Sequence, residues 1–160
     1  LFFCCLGTAQ TEWESLFNGK DLSNWEVRNG TAQYQILNNT IVGTTRSGTP
    51  NTFLCTKEMY GDFILELEVM VAPGLNSGIQ FRSNSFKLYN DGRVHGYQSE
   101  LDTSKRAWSG GIYDEGRRGW LYPLSMNWKG RAAFKCHSVN IRCLYLTTIS
   151  TQVRKTHVIY

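Results

Sequence analysis

Residues 95–123 read HGYQSELDTSKRAWSGGIYDEGRRGWLYP, which places four carboxylates, four Arg/Lys residues and five Trp/Tyr residues in one short span. Within it Gln98, Glu100 and Asp102 alternate with Tyr97, Ser99 and Leu101. A strand sends every second side chain to the same face, so these three polar groups share one surface, with the Cα atoms of the two carboxylates roughly 7 Å apart. Gly110-Gly111 interrupts the pattern, and Ile112-Tyr113 re-enters a sheet. Residues 114–120, DEGRRGW, then read as a charged loop that ends in an aromatic and can fold over the carboxylate face.

The same division of faces recurs upstream. In residues 63–71, FILELEVMV, the side chains of Phe63, Leu65, Leu67, Val69 and Val71 mark one face, and those of Ile64, Glu66, Glu68 and Met70 the other. Pro73-Gly74 ends that strand, and residues 76–82, NSGIQFR, begin the next, with Ile79 and Phe81 on one side and Gln80 and Arg82 on the other. One apolar face for a second sheet and one polar, aromatic-rimmed face describe a sandwich with a groove of carbohydrate size. On this reading Glu66, Gln80, Arg82, Gln98, Glu100 and Asp102 share the concave, solvent-facing side. Further strands are expected as a hairpin over residues 34–42, turning at Asn38-Asn39, and at residues 53–56. Residues 13–25 read as a lead-in over the sheet, turning at Asn18-Gly19, with Trp13 and Trp25 in the core.

A chain of 160 residues with 15 Gly, 3 Pro and 21 Phe, Trp and Tyr side chains, and nearly no apolar spacing of helical period, reads as a single all-β domain. Six of its 17 Lys/Arg residues and none of its 13 Asp/Glu residues lie from Lys129 onward, so the part before carries 11 basic against 13 acidic groups. The basic balance is therefore local to the tail and indicates neither nucleic acid nor membrane as a partner. No apolar run approaches the length of a membrane span. Residues 1–9, LFFCCLGTA, resemble the end of a secretory signal cleaved before Gln10, which implies a secreted, periplasmic or cell-surface protein and a mature domain over residues 10–160. Cys55, Cys136 and Cys143 then form an odd set without metal-ligand spacing. Residues 136–160 lack Gly, Pro, Asp and Glu, give no turn beyond Asn140, and show no route by which they close a sandwich.

The segments NSGIQFRS, HGYQSELD and AWSGGIYDEGRRGWLYPL, with LFNGKDLSNW before them, resemble the 3-keto-disaccharide hydrolase family, common in secreted bacterial proteins. The resemblance covers roughly residues 13–133 and implies a concanavalin-A-like jelly-roll β-sandwich. The family's later motifs are not found after Lys135, so the fold is expected to be incomplete from there, as in a truncated or frameshifted chain.

The resemblance also implies a carbohydrate substrate whose C3 is a ketone, which acidifies the C2 hydrogen. A carboxylate can remove that proton, after which the glycosidic oxygen leaves C1 and water adds back. Glu100 is expected as base and Asp102 as its partner or a ligand for a divalent metal, with Arg82 or His95 stabilising negative charge. Gln80, Gln98 and Glu66 would bind substrate, and Trp108, Tyr113 and Trp120 would stack on sugar rings. Each has a plainer reading: Asp102 caps a turn, Arg82 neutralises the carboxylates, and His95 is a loop histidine. Two other functions fit the fold. A retaining glucanase needs a Glu-x-Asp-x-Glu strand, but Ser104 and Lys105 follow Asp102 where its second carboxylate belongs. A carbohydrate-binding module needs only the aromatic groove.

Overall fold

A computed structural model describes the protein over residues 13–61, 63–122 and, as backbone, 149–155. The expected signal remnant at residues 1–9 and most of the tail lie outside the described residues. The elements in chain order are β1 (Trp13–Ser15), β2 (Trp25–Asn29), β3 (Gln33–Leu37), β4 (Thr40–Thr44), β5 (Thr52–Thr56), β6 (Phe63–Val69), β7 (Asn76–Asn84), a short 3-10 turn (Asn90–Gly92), β8 (His95–Asp102), β9 (Ile112–Glu115), β10 (Gly119–Tyr122) and β11 (Ile149–Lys155). The protein is an all-β sandwich of antiparallel sheets. One sheet runs β1-β11-β4-β3, with β6 also paired to β11; another runs β10-β9-β8-β7; a third pairs β2 with β5.

The core between the first two sheets comes from the alternation in β6. Leu67 and Val69 are buried together with Leu101 of β8, and Leu65, Val71 and Ile79 pack against them. Each such side chain contributes about 2 kcal/mol by leaving water. The hairpin turns at Asn38 and Asn39, with φ of +50° and +60°, the left-handed pair that joins twisted strands by two residues. The backbone of β11 pairs with β6 from Ile149 opposite Val69 to Lys155 opposite Phe63. Part of the tail for which the sequence shows no route thus has a place beside the longest apolar strand.

Two expectations about faces change here. Glu66 and Glu68 are exposed on β6, and because their neighbours Leu65 and Leu67 point to β8, both acids face away from the second sheet. Glu66 is therefore outside the surface formed by Gln98 and Glu100. Residues 114–120 do not fold over the carboxylates: Asp114 and Glu115 end β9, Gly119 and Trp120 begin β10, and the segment is a tight hairpin.

Candidate functional site

The four-stranded sheet sets out the site by register. Gln80 lies opposite Gln98, Gln98 opposite Tyr113, and Tyr113 opposite Trp120, so one row of side chains crosses β7, β8, β9 and β10 on one face. The next row along β8 pairs Glu100 with Gly78, and the one after pairs Asp102 with Asn76. The missing side chain at Gly78 matters, since a methyl there would overlap the Gln98 amide.

A directed chain of hydrogen bonds fills this face. Ser83 Oγ donates to Gln80 Oε1 at 2.7 Å, Gln80 Nε2 to Gln98 Oε1 at 2.9 Å, and Gln98 Nε2 to Glu100 Oε2 at 3.0 Å. The other carboxylate oxygen, Glu100 Oε1, accepts from Asn76 Nδ2 at 2.5 Å and from Arg106 Nη2 at 3.2 Å. Three N–H donors thus meet one carboxylate whose side chain is 3% exposed, an arrangement that offsets the cost of burying charge.

Arg106 also donates from Nε to Asp102 Oδ2 at 2.7 Å, so one guanidinium bridges the two acids. Asp102 accepts from the backbone N–H of Ser104 and of Trp108 as well, which makes it a turn cap and a site neighbour at once. Burial pushes its carboxyl up, but the hydrogen bonds from Ser104, Arg106 and Trp108 outweigh this and lower it to about 2. Residues 103–109 thereby fold over the carboxylates. The Arg106 Cζ lies 4.5 Å from the Trp108 ring centroid and 5.1 Å from that of Trp120. Trp120 meets Trp108 edge to face at 4.8 Å and Tyr113 at 5.1 Å.

Of the residues expected from sequence, Gln80, Gln98, Glu100, Asp102, Trp108, Tyr113 and Trp120 come together. Trp108 is buried, with its indole N–H unpartnered among the described residues, so in this state its ring is covered and offers no stacking face. Arg82 is exposed at the register shift between Phe81 and Asn84, with φ of +47°, and lies four residues, roughly 13 Å of strand, beyond the position opposite Glu100. The cation on the two acids is Arg106. His95 starts β8 five residues, roughly 16 Å, before Glu100. Its ring is buried between Phe86 and Tyr89, with Nδ1 against the Arg93 carbonyl. Neither residue is placed to stabilise charge beside Glu100. Asp114 is fully buried and held by Arg117 and Arg118 over the Tyr97 ring, on the face opposite Tyr113.

Sequence reading missed Arg106 and Asn76. Arg106 carried a signal, a cation four residues after a turn-capping Asp, whereas Asn76 becomes a partner only once the β7–β8 register is known. Among the described residues no group of three or more His, Cys, Asp or Glu side chains comes close enough to hold a metal ion. No helix among them is long and apolar enough to cross a membrane.

Comparison with protein-family profiles matches residues 12–148 to the 3-keto-alpha-glucoside-1,2-lyase-like domain, and the match runs past residue 133, where the recognisable motifs end. No curated protein matches the chain.

Proposed function

Because the chain belongs to the 3-keto-alpha-glucoside-1,2-lyase-like domain family, and so to a carbohydrate-active class, we propose that the face over β7 to β10 binds 3-keto-glycosides and cleaves them by elimination. The observation that carries this is Glu100: a carboxylate buried on the polar face of its strand, aimed by Asn76, Gln98 and Arg106, and bordered by Tyr113 and Trp120.

The chemistry needs little beyond such a group. The C3 ketone acidifies the C2 hydrogen, and a Glu100 oxygen takes that proton while the electron pair moves onto the ketone oxygen as an enolate. The enolate re-forms the ketone, C1=C2 is made, and the C1–O bond breaks with its electrons on the leaving alkoxide, which takes up a proton. This is elimination across C1 and C2, the bond that the family's description names. Water adding across C1=C2 returns a hydrogen to C2 and puts a hydroxyl on C1, for net hydrolysis. In the substrate-free state the cation beside Glu100 is Arg106, and neither Arg82 nor His95 stands there.

A second reading draws on the same geometry. Three donors on Glu100 also suit a purely structural carboxylate, as in a carbohydrate-binding module whose groove is aromatic and whose acids only fix the loop. Release of aglycone from a 3-keto-glycoside by wild type and by Glu100→Gln separates the two. The enzyme reading expects turnover that falls by about 10³-fold or more in the variant with substrate binding retained. Binding by both without turnover by either would leave the module.

A further inference from the structure

Arg106 holds its place through the two kinds of contact that a sugar uses. Its Nη2 and Nε donate to Glu100 Oε1 and Asp102 Oδ2 at 3.2 and 2.7 Å, as neighbouring hydroxyls of a pyranose donate to carboxylates. Its guanidinium lies over the rings of Trp108 and Trp120, where a pyranose would lay its C–H face. These contacts leave the Glu100 side chain 3% exposed and Trp108 5% exposed, whereas the Arg106 side chain is 35% exposed. A substrate cannot reach Glu100 while that cover is in place.

The loop beneath Arg106 is not held down by backbone preference. Ala107 has a φ of +55°, the left-handed region that residues with a side chain seldom occupy. It is held there by the bonds that the Asp102 carboxylate makes to Ser104, Arg106 and Trp108, together with those from the Ala107 N–H to the Ser104 carbonyl at 3.1 Å and from the Arg106 N–H to Ser104 Oγ at 3.2 Å. Removing the Arg106 side-chain contacts takes away one part of that hold.

We propose that Arg106 is an internal ligand of the cleft, standing where a pair of sugar hydroxyls will bind, and that a neutral glycoside reaches Glu100 by displacing it. This rests on the reading of the cleft as a sugar site and goes beyond it in two ways. Displacement exchanges the cation on Glu100 Oε1 for a neutral sugar that carries its C2 hydrogen to the carboxylate, while Asn76 and Gln98 keep the carboxylate aimed. It also uncovers two carboxylates without their cation, so the incoming sugar must bring hydroxyl donors and no negative charge. Uronic acids are rejected.

The test is a titration of wild type, Arg106→Gln and Arg106→Lys with 3-keto-glucose, the released sugar, and with glucuronate, followed by tryptophan fluorescence, with a melting curve for each protein. A site whose competent state is only fractionally populated binds more weakly by that fraction. Arg106→Gln is expected to bind 3-keto-glucose about tenfold more tightly than wild type. Arg106→Lys keeps the charge but loses the planar fork and is expected in between, and it decides the matter if the glutamine variant does not fold. Glucuronate should bind none of the three proteins as well as 3-keto-glucose does. Equal or weaker binding of 3-keto-glucose by the folded variants overturns the displacement, as does a preference for glucuronate. Failure of all three proteins to bind 3-keto-glucose would bring down the sugar-site reading and this inference with it.

Discussion

Gln98 Nε2 donates to Glu100 Oε2 at 3.0 Å, so the aim of the carboxylate is set by the neighbour two residues before it on the same strand. Gln98 is in turn held by Gln80, and its amide occupies the space left by the absent side chain of Gly78. Gly78→Ala should push that amide aside and let Glu100 turn. Activity on a 3-keto-glycoside is then expected to fall by about 10²-fold, while stability falls by only about 1–3 kcal/mol as the flexible glutamine gives way. Rate assays with urea unfolding check both; an unchanged rate in a folded variant would detach Gln98 from the chemistry.

Asp114 makes a separate prediction about stability. It is fully buried, accepting from Arg117 Nε at 2.7 Å and Arg118 Nε at 2.5 Å. Removing both arginines leaves a buried carboxylate without its cations, which costs about 3–5 kcal/mol. Asp114→Asn leaves two partly exposed guanidiniums and costs less, about 1–3 kcal/mol. The double Arg117→Ala, Arg118→Ala variant should thus unfold at lower urea than Asp114→Asn, and the reverse order would contradict the pairing.

The acid limb of stability follows from the same groups. Burial pushes up the carboxyls of Asp102 and Asp114, but hydrogen bonds from Ser104 and Arg106 to the first, and from Arg118 and Arg117 to the second, outweigh it and hold both below the ordinary value of 3.8. A carboxyl lowered in the folded state contributes stability that is full above its unfolded value and is lost as pH falls through its folded one. For Asp102, lowered to about 2, the window lies between the unfolded 3.8 and about 2, and the loss amounts to about 2 kcal/mol. Urea midpoints should hold steady from pH 7 to 5 and drop below 4, with part of the drop absent in Asp102→Asn. An identical acid limb in that variant would mean that the Arg106 and Ser104 bonds to Asp102 are weak in solution.

How much of this reads from the chain alone depends on which rule each residue obeys. The alternation in QSELD suffices to put Gln98, Glu100 and Asp102 on one face, because parity within a continuous strand is rigid. The Asn38-Asn39 turn reads just as directly. Glu66 does not, since alternation assigns a residue to one of two faces but not to a sheet or to its outer side; the packing of Leu67 against Leu101 decides that. Arg82 escapes because the slip between Phe81 and Asn84 breaks the parity by which it was placed. Asn76 and Arg106 meet Glu100 through strand register and a folded loop, neither of which is encoded in local spacing. Trp108 joins the cluster around the acids but is covered, which alternation does not foretell, because Arg106 lies over its ring. The strand Ile149–Lys155 has no turn residue after Asn140 to announce it.

The most direct test of elimination at C2 follows the hydrogen itself. Cleavage of a 3-keto-glucoside in D₂O, with the C2 position of the released sugar read early by NMR against an enzyme-free control, should show deuterium at C2, since the proton taken by Glu100 is replaced from solvent when water adds. The unoxidised glucoside should stay intact in the same solution. Released sugar that keeps its original hydrogen at C2, together with equal cleavage of the unoxidised glucoside, would contradict proton abstraction by Glu100 and leave direct displacement at C1 in its place.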